Sequence, residues 1–97
     1  MQEYILYIDN PKENIKFEGE IIGKTNPQDK YNKFEDDGII IYRTRSLKYI
    51  LHRKEIRYDS YRERNYYFQQ CEFFDKIENL YEYLNKINLL YILYKEI

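Results

Sequence analysis

The order of the periodicities along the chain constrains its fold most. Stretches with the apolar content or two-residue alternation of strands come first, and one stretch with helical spacing comes last. In 97 residues this order fits one small α+β domain. Met1–Asp9 reads as a strand, because Tyr4-Ile5-Leu6-Tyr7-Ile8 is apolar throughout, and Asn10-Pro11 ends it. Asn14–Gly23 alternates, with Ile15, Phe17, Gly19 and Ile21 on one face and Lys16, Glu18 and Glu20 on the other. Ile39–Thr44 and Leu47–Ile56 are the clearest strands, and Tyr66–Phe73 is a further one after the polar turn Tyr58–Asn65. Phe74, Ile77, Leu80, Tyr81, Leu84 and Ile87 then follow helical spacing over Lys76–Asn85. Asp75 and Glu78 form a capping box, and Phe74 staples to Asn79 or Leu80. Asn88 caps a last helix, Leu89–Lys95, a segment that reads almost as well as a strand. The expectation is an antiparallel meander of about five strands, covered by a C-terminal helix or helical hairpin. One domain spans 1–97, with a long, mobile polar loop over about 24–38.

A turn at Arg45-Ser46 sets a register for the central hairpin. Thr44 then faces Leu47, Tyr42 faces Tyr49 and Ile40 faces Leu51, and Ile40, Tyr42, Leu47, Tyr49 and Leu51 form the core face. The same register places Arg43 opposite Lys48, an unfavourable like-charge pair unless something acidic lies across it.

Charge is distributed unevenly. Residues 1–42 hold nine acids and five bases, 43–64 hold eight bases and three acids, and 65–97 hold three bases and five acids. All six arginines lie in the middle block. Arg43, Arg45, Lys48, Arg53, Lys54, Arg57, Arg62 and Arg64 interleave there with Tyr42, Tyr49, Tyr58, Tyr61, Tyr66 and Tyr67. Arginine forks suit phosphates and carboxylates, and aromatic faces stack on unpaired bases. The same block also suits pairing with the acidic first half, within one chain or across a dimer. Tyrosine, at 13 residues, serves as core filler or as interface surface. Ala, Val and Trp are absent, while Ile, Lys, Asn, Tyr and Phe dominate, as in a gene of very low GC content.

Lys16-Phe17-Glu18-Gly19-Glu20-Ile21-Ile22, the run Ile41-Tyr42-Arg43-Thr44-Arg45-Ser46-Leu47-Lys48-Tyr49, and Phe74-Asp75-Lys76-Ile77-Glu78-Asn79-Leu80 resemble the middle of the EXLDI-type small bacterial proteins. Those proteins carry a phenylalanine–x–glycine strand, then a tyrosine–arginine–threonine hairpin and a helix. The glutamate–x–leucine–aspartate–isoleucine signature is absent here, and the hairpin turn lacks the glycine. The resemblance implies a meander plus helix and no activity.

Little in the chain points to catalysis. His52 and Cys71 are the only residues of their types, and a Cys–His nucleophile needs both in one cleft. They read as a strand side chain and a small core residue. Glu18 and Glu20 read as a solvated face, and the acidic loop Glu35-Asp36-Asp37 as a solvated run rather than a hard-cation site. With only three glycines there is no phosphate loop. No cofactor, metal or membrane partner is expected. No run of about 18 apolar residues exists, and Met1–Asp9 lacks the basic region of a secretory signal, so a cytoplasmic location is expected.

The expected function is that of a small non-catalytic binding protein, encoded by a phage or mobile element. It would act stoichiometrically on a host protein or ribonucleoprotein, as an anti-defence or anti-CRISPR inhibitor does. Its contact residues would be Tyr42, Arg43, Arg45, Lys48, Tyr49, Arg53, Arg57, Arg62 and Arg64, or the acidic loop acting as a phosphate mimic. The first alternative is a single-stranded nucleic-acid-binding module. The second is a homodimeric viral or plasmid structural protein that pairs through the strand Tyr4–Ile8.

Overall fold

The computed structural model describes residues 1–9, 12–25 and 38–95. Asn10-Pro11, the acid run Glu35-Asp36-Asp37 and most of the polar connection lie outside the described residues. The fold is α+β. Five antiparallel strands, β1 (Gln2–Asp9), β2 (Lys12–Lys24), β3 (Gly38–Thr44), β4 (Tyr49–Asp59) and β5 (Arg64–Phe74), form one sheet in chain order, and α1 (Ile77–Lys86) follows. No described helix is long and apolar enough to cross a membrane.

The centre of the sheet is apolar on both faces, because Ile39-Ile40-Ile41-Tyr42 has no polar position. Ile39, Ile41, Tyr49 and Leu51 pack beneath Leu80 and Leu84 of α1 and beneath Leu89 and Ile92. Tyr42 and Ile50 turn to the opposite face and pack with Leu6, Tyr4, Ile15 and Phe17. Tyr4, Phe17 and Tyr42 form an aromatic triad with ring centroids 4.9–5.5 Å apart.

Among the described residues no helix covers this second face; the sheet curls over it. The first part of β2 pairs with β1 and the last part with β3, with a bulge between Ile21 and Gly23. A bulge bends its strand and increases the twist. The curl brings β1 to β5, where the Asp9 carboxylate accepts a 2.6 Å hydrogen bond from the Gln69 backbone N–H. Gly19 stands where β2 passes from β1 to β3, and a Cβ there would lie 2.4 Å from the Arg43 carbonyl oxygen.

The central hairpin differs from the expected register by one residue. Tyr42 faces Ile50, Arg43 faces Tyr49 and Ile41 faces Leu51. The cause is Leu47, which adopts φ 61° and lengthens the turn by one residue. Leu47 N donates to the Thr44 carbonyl at 2.9 Å, and Thr44 N donates to the Lys48 carbonyl at 2.8 Å. The expected core face is therefore split: Tyr49 and Leu51 go under the helix, Ile40 and Tyr42 go to the curled face, and Leu47 stays exposed. The Arg43–Lys48 opposition does not form.

Asp75 is not the helix cap. It pairs with Lys48, Oδ1 to Nζ 3.2 Å, and α1 begins after Lys76 without a side-chain cap. Phe74 packs on the Tyr83 ring at 5.4 Å and against the buried cluster that includes Leu80. Asn88 ends α1 rather than starting a helix. It adopts φ 58°, its N–H donates to the Asn85 carbonyl at 3.2 Å, and Leu89 N donates to the Leu84 carbonyl at 2.9 Å. These bonds form a Schellman motif whose apolar contact joins two buried leucines. The last helix reduces to one 3-10 turn, Leu90–Ile92. Leu93 then bridges Gly23, and Tyr94 N donates to the Ile22 carbonyl at 2.7 Å.

Candidate functional site

The fold divides the basic block between the two ends of the sheet. β4 carries eleven residues, so its ends lie roughly 30–35 Å apart. At the β3–β4 end the cations are neutralised by carboxylates of the chain. The Arg43 guanidinium is part-buried and binds Glu20, with Nε to Oε1 at 2.9 Å. Arg45 pairs with Glu18 at 3.0 Å, and Lys48 pairs with Asp75. Pairing of the basic block with the acidic first half is thus realised within one chain, across β2 and β3. Arg53 lies over the helix side and donates to the Tyr83 hydroxyl at 3.4 Å.

Two of the expected contact residues are interior. Tyr42 is 4% exposed and Tyr49 9%, because alternation along β3 and β4 turns one into each core. Burial, with the neighbouring Tyr4 and Cys71, pushes the Tyr42 phenol up to about 12. Neither ring is available to a partner.

The other end of β4 is different. Among the described residues, pairing with β3 runs to Lys54, and Glu55–Asp59 pair only with Arg64–Phe68 of β5. This two-stranded arm carries Arg57, Arg62 and Arg64 together with exposed Tyr58, Tyr61, Tyr66 and Tyr67. Its turn is held by the Asp59 carboxylate, whose Oδ1 accepts from Tyr61 N at 2.9 Å and Arg62 N at 3.3 Å. Asx bonding of this kind fixes a turn locally. Glu63 completes the reversal at φ 50°. Arg57 lies over the Phe68 ring at 3.8 Å and also binds Glu55 at 3.1 Å. Lys54 lies over Tyr67 at 4.4 Å. Tyr61, at the tip, is 99% exposed. Arg64 makes no ion pair among the described residues. Tyr58, Ser60, Arg62, Arg64 and Tyr66 line a shallow cleft at this tip, with Asp59 on its wall. Large, stiff tyrosines and arginine forks on an ordered turn give contact area at low entropic cost. The exposed tyrosines were legible only as a local cluster around a polar turn.

His52 and Cys71 do come together, directly opposite each other on β4 and β5. The pairing is not an activated one. His52 Nε2 bonds Gln69 Oε1 at 3.0 Å, and the ring also engages the Tyr7 backbone. Burial, with Glu13 and Glu72 nearby, pushes the Cys71 thiol up to about 11, which leaves it protonated at neutral pH. No cluster of three or more metal-type side chains converges among the described residues.

His52 itself sets a pH dependence. Burial holds it below its usual 6.5, with the Lys54 charge acting in the same direction and the Gln69 and Tyr7 bonds opposing. The unfolded chain therefore binds the proton more readily, and stability is lost as pH falls through and below about 6.5. Urea midpoints at pH 7.5 and 5.5 should fall less in His52→Gln than in the wild type.

No family model, curated protein or solved structure matches the chain.

Proposed function

We propose that this chain is a small non-catalytic binding protein that docks on a host protein through the β4–β5 arm and acts stoichiometrically, by occlusion. Its composition fits a phage or mobile element of a low-GC host, and a defence effector is the class of target we infer. The observation that carries this reading is the arm tip: exposed tyrosines beside Arg64, which makes no ion pair among the described residues, on a turn ordered by Asp59. The neutralised cations at the opposite end weigh against a phosphate-tracking surface. Affinity capture from a low-GC bacterial lysate, with and without nuclease, tests it. The expected result is one dominant protein that survives nuclease, is retained with little dependence on salt, and is lost when Tyr61→Ala is combined with Arg64→Glu. Both sites are exposed, so the variant should melt as the wild type does while capture weakens about thirtyfold or more. Retention that vanishes with nuclease, or falls steeply with salt, would assign the arm to single-stranded nucleic acid instead.

A further inference from the structure

The opposite end of the molecule carries a feature that the arm does not explain. Leu47 holds φ 61°, a conformation that glycine or asparagine adopts freely and leucine does not. Its side chain is also 62% exposed. Glycine there would relieve the backbone and remove an apolar group from water, so folding alone gives no reason for leucine. Beside it lies an apolar depression lined by Phe17, Ile50 and Phe73, and Phe73 is itself 58% exposed. Leu47 stands between Ser46 and Lys48, both of which line that depression. The rim carries both signs of charge, in the Arg45–Glu18 and Lys48–Asp75 pairs.

We infer that a second copy of this chain docks here about a two-fold axis, with the Leu47 of each copy entering the apolar depression of the other. An isologous interface must be complementary to itself. This surface is, because it holds a projecting apolar side chain, an apolar recess and a charge-balanced rim whose Arg45–Glu18 and Lys48–Asp75 pairs leave no excess charge to repel a second copy. A target surface unlike this one would need only the knob or only the recess. The dimer leaves both arms free, at its far ends.

Light scattering and sedimentation over micromolar to near-millimolar concentrations test this. The mass of the wild type should rise from 12.2 kDa toward twice that value. Leu47→Asn should weaken self-association about tenfold or more. When dilute, it should melt no lower than the wild type, because it relieves the turn. Phe73→Ser, which opens the recess instead, should weaken self-association as well. Tyr61→Ala, on the arm, should dimerise like the wild type, which separates this site from the arm. A wild type that stays monomeric throughout overturns the inference, as does a Leu47→Asn variant that dimerises undiminished. Loss of host-protein capture in Leu47→Asn from a monomeric wild type would give the surface to the host protein instead.

Discussion

Leu80→Ala is expected to lower the stability of the fold by about 2–5 kcal/mol, read as a shift of the urea midpoint at unchanged m-value. Leu80 is fully buried on the inner face of α1, within the cluster of Ile39, Ile41, Tyr49, Leu51 and Leu84. α1 spans only ten residues, too few to be stable in isolation. It is held by this packing and by the Schellman motif at its end, not by a side-chain cap. Truncation removes the transfer free energy of the side chain and leaves a cavity that sheet strands cannot readily close. A change below about 0.5 kcal/mol would mean that the helix does not pack as described.

Gly19→Ala should cost about 3 kcal/mol through overpacking alone. The added methyl would lie 2.4 Å from the Arg43 carbonyl oxygen, which is backbone and cannot rotate away. Relief requires β2 to move off β3 at the point where the curl begins, and that strains the Tyr4–Phe17–Tyr42 triad and the reach of Asp9 to Gln69. Near-ultraviolet circular dichroism of the tyrosines should change along with the midpoint. Gly19→Ala with wild-type stability would show that the strands do not approach this closely.

The strand order was legible because each segment carries its own period. The alternation of β2 and the helical spacing of Ile77, Leu80, Leu84 and Ile87 need no knowledge of the rest of the chain. The hairpin register was not legible, because it depends on one backbone conformation. Leucine at residue 47 gives no sign that it takes the left-handed region, and a one-residue slip exchanges every side chain between the faces. The capping box failed for a similar reason. Asp75 had two uses, and the better-placed cation, Lys48, comes from a turn distant in sequence.

The candidate site was legible as a composition and not as a surface. The dense mixture of arginine and tyrosine over 43–64 marked the right part of the chain. Which of those residues face solvent depends on three tertiary facts. Glu18 and Glu20 neutralise Arg45 and Arg43 across the sheet. Tyr42 and Tyr49 are drawn into the two cores. Beyond Lys54, β4 pairs among the described residues only with β5, and the two form an arm.

Host-protein capture, compared between two double variants in nuclease-treated lysate, tests most directly whether the arm is the contact element. One variant combines Tyr61→Ala with Arg64→Glu on the arm; the other combines Arg45→Ala with Lys48→Ala at the opposite end. The arm variant should lose the captured protein, and the other variant should retain it at the wild-type level. If the arm variant retains the protein and the other variant loses it, the contact lies at the β3–β4 turn and not on the arm.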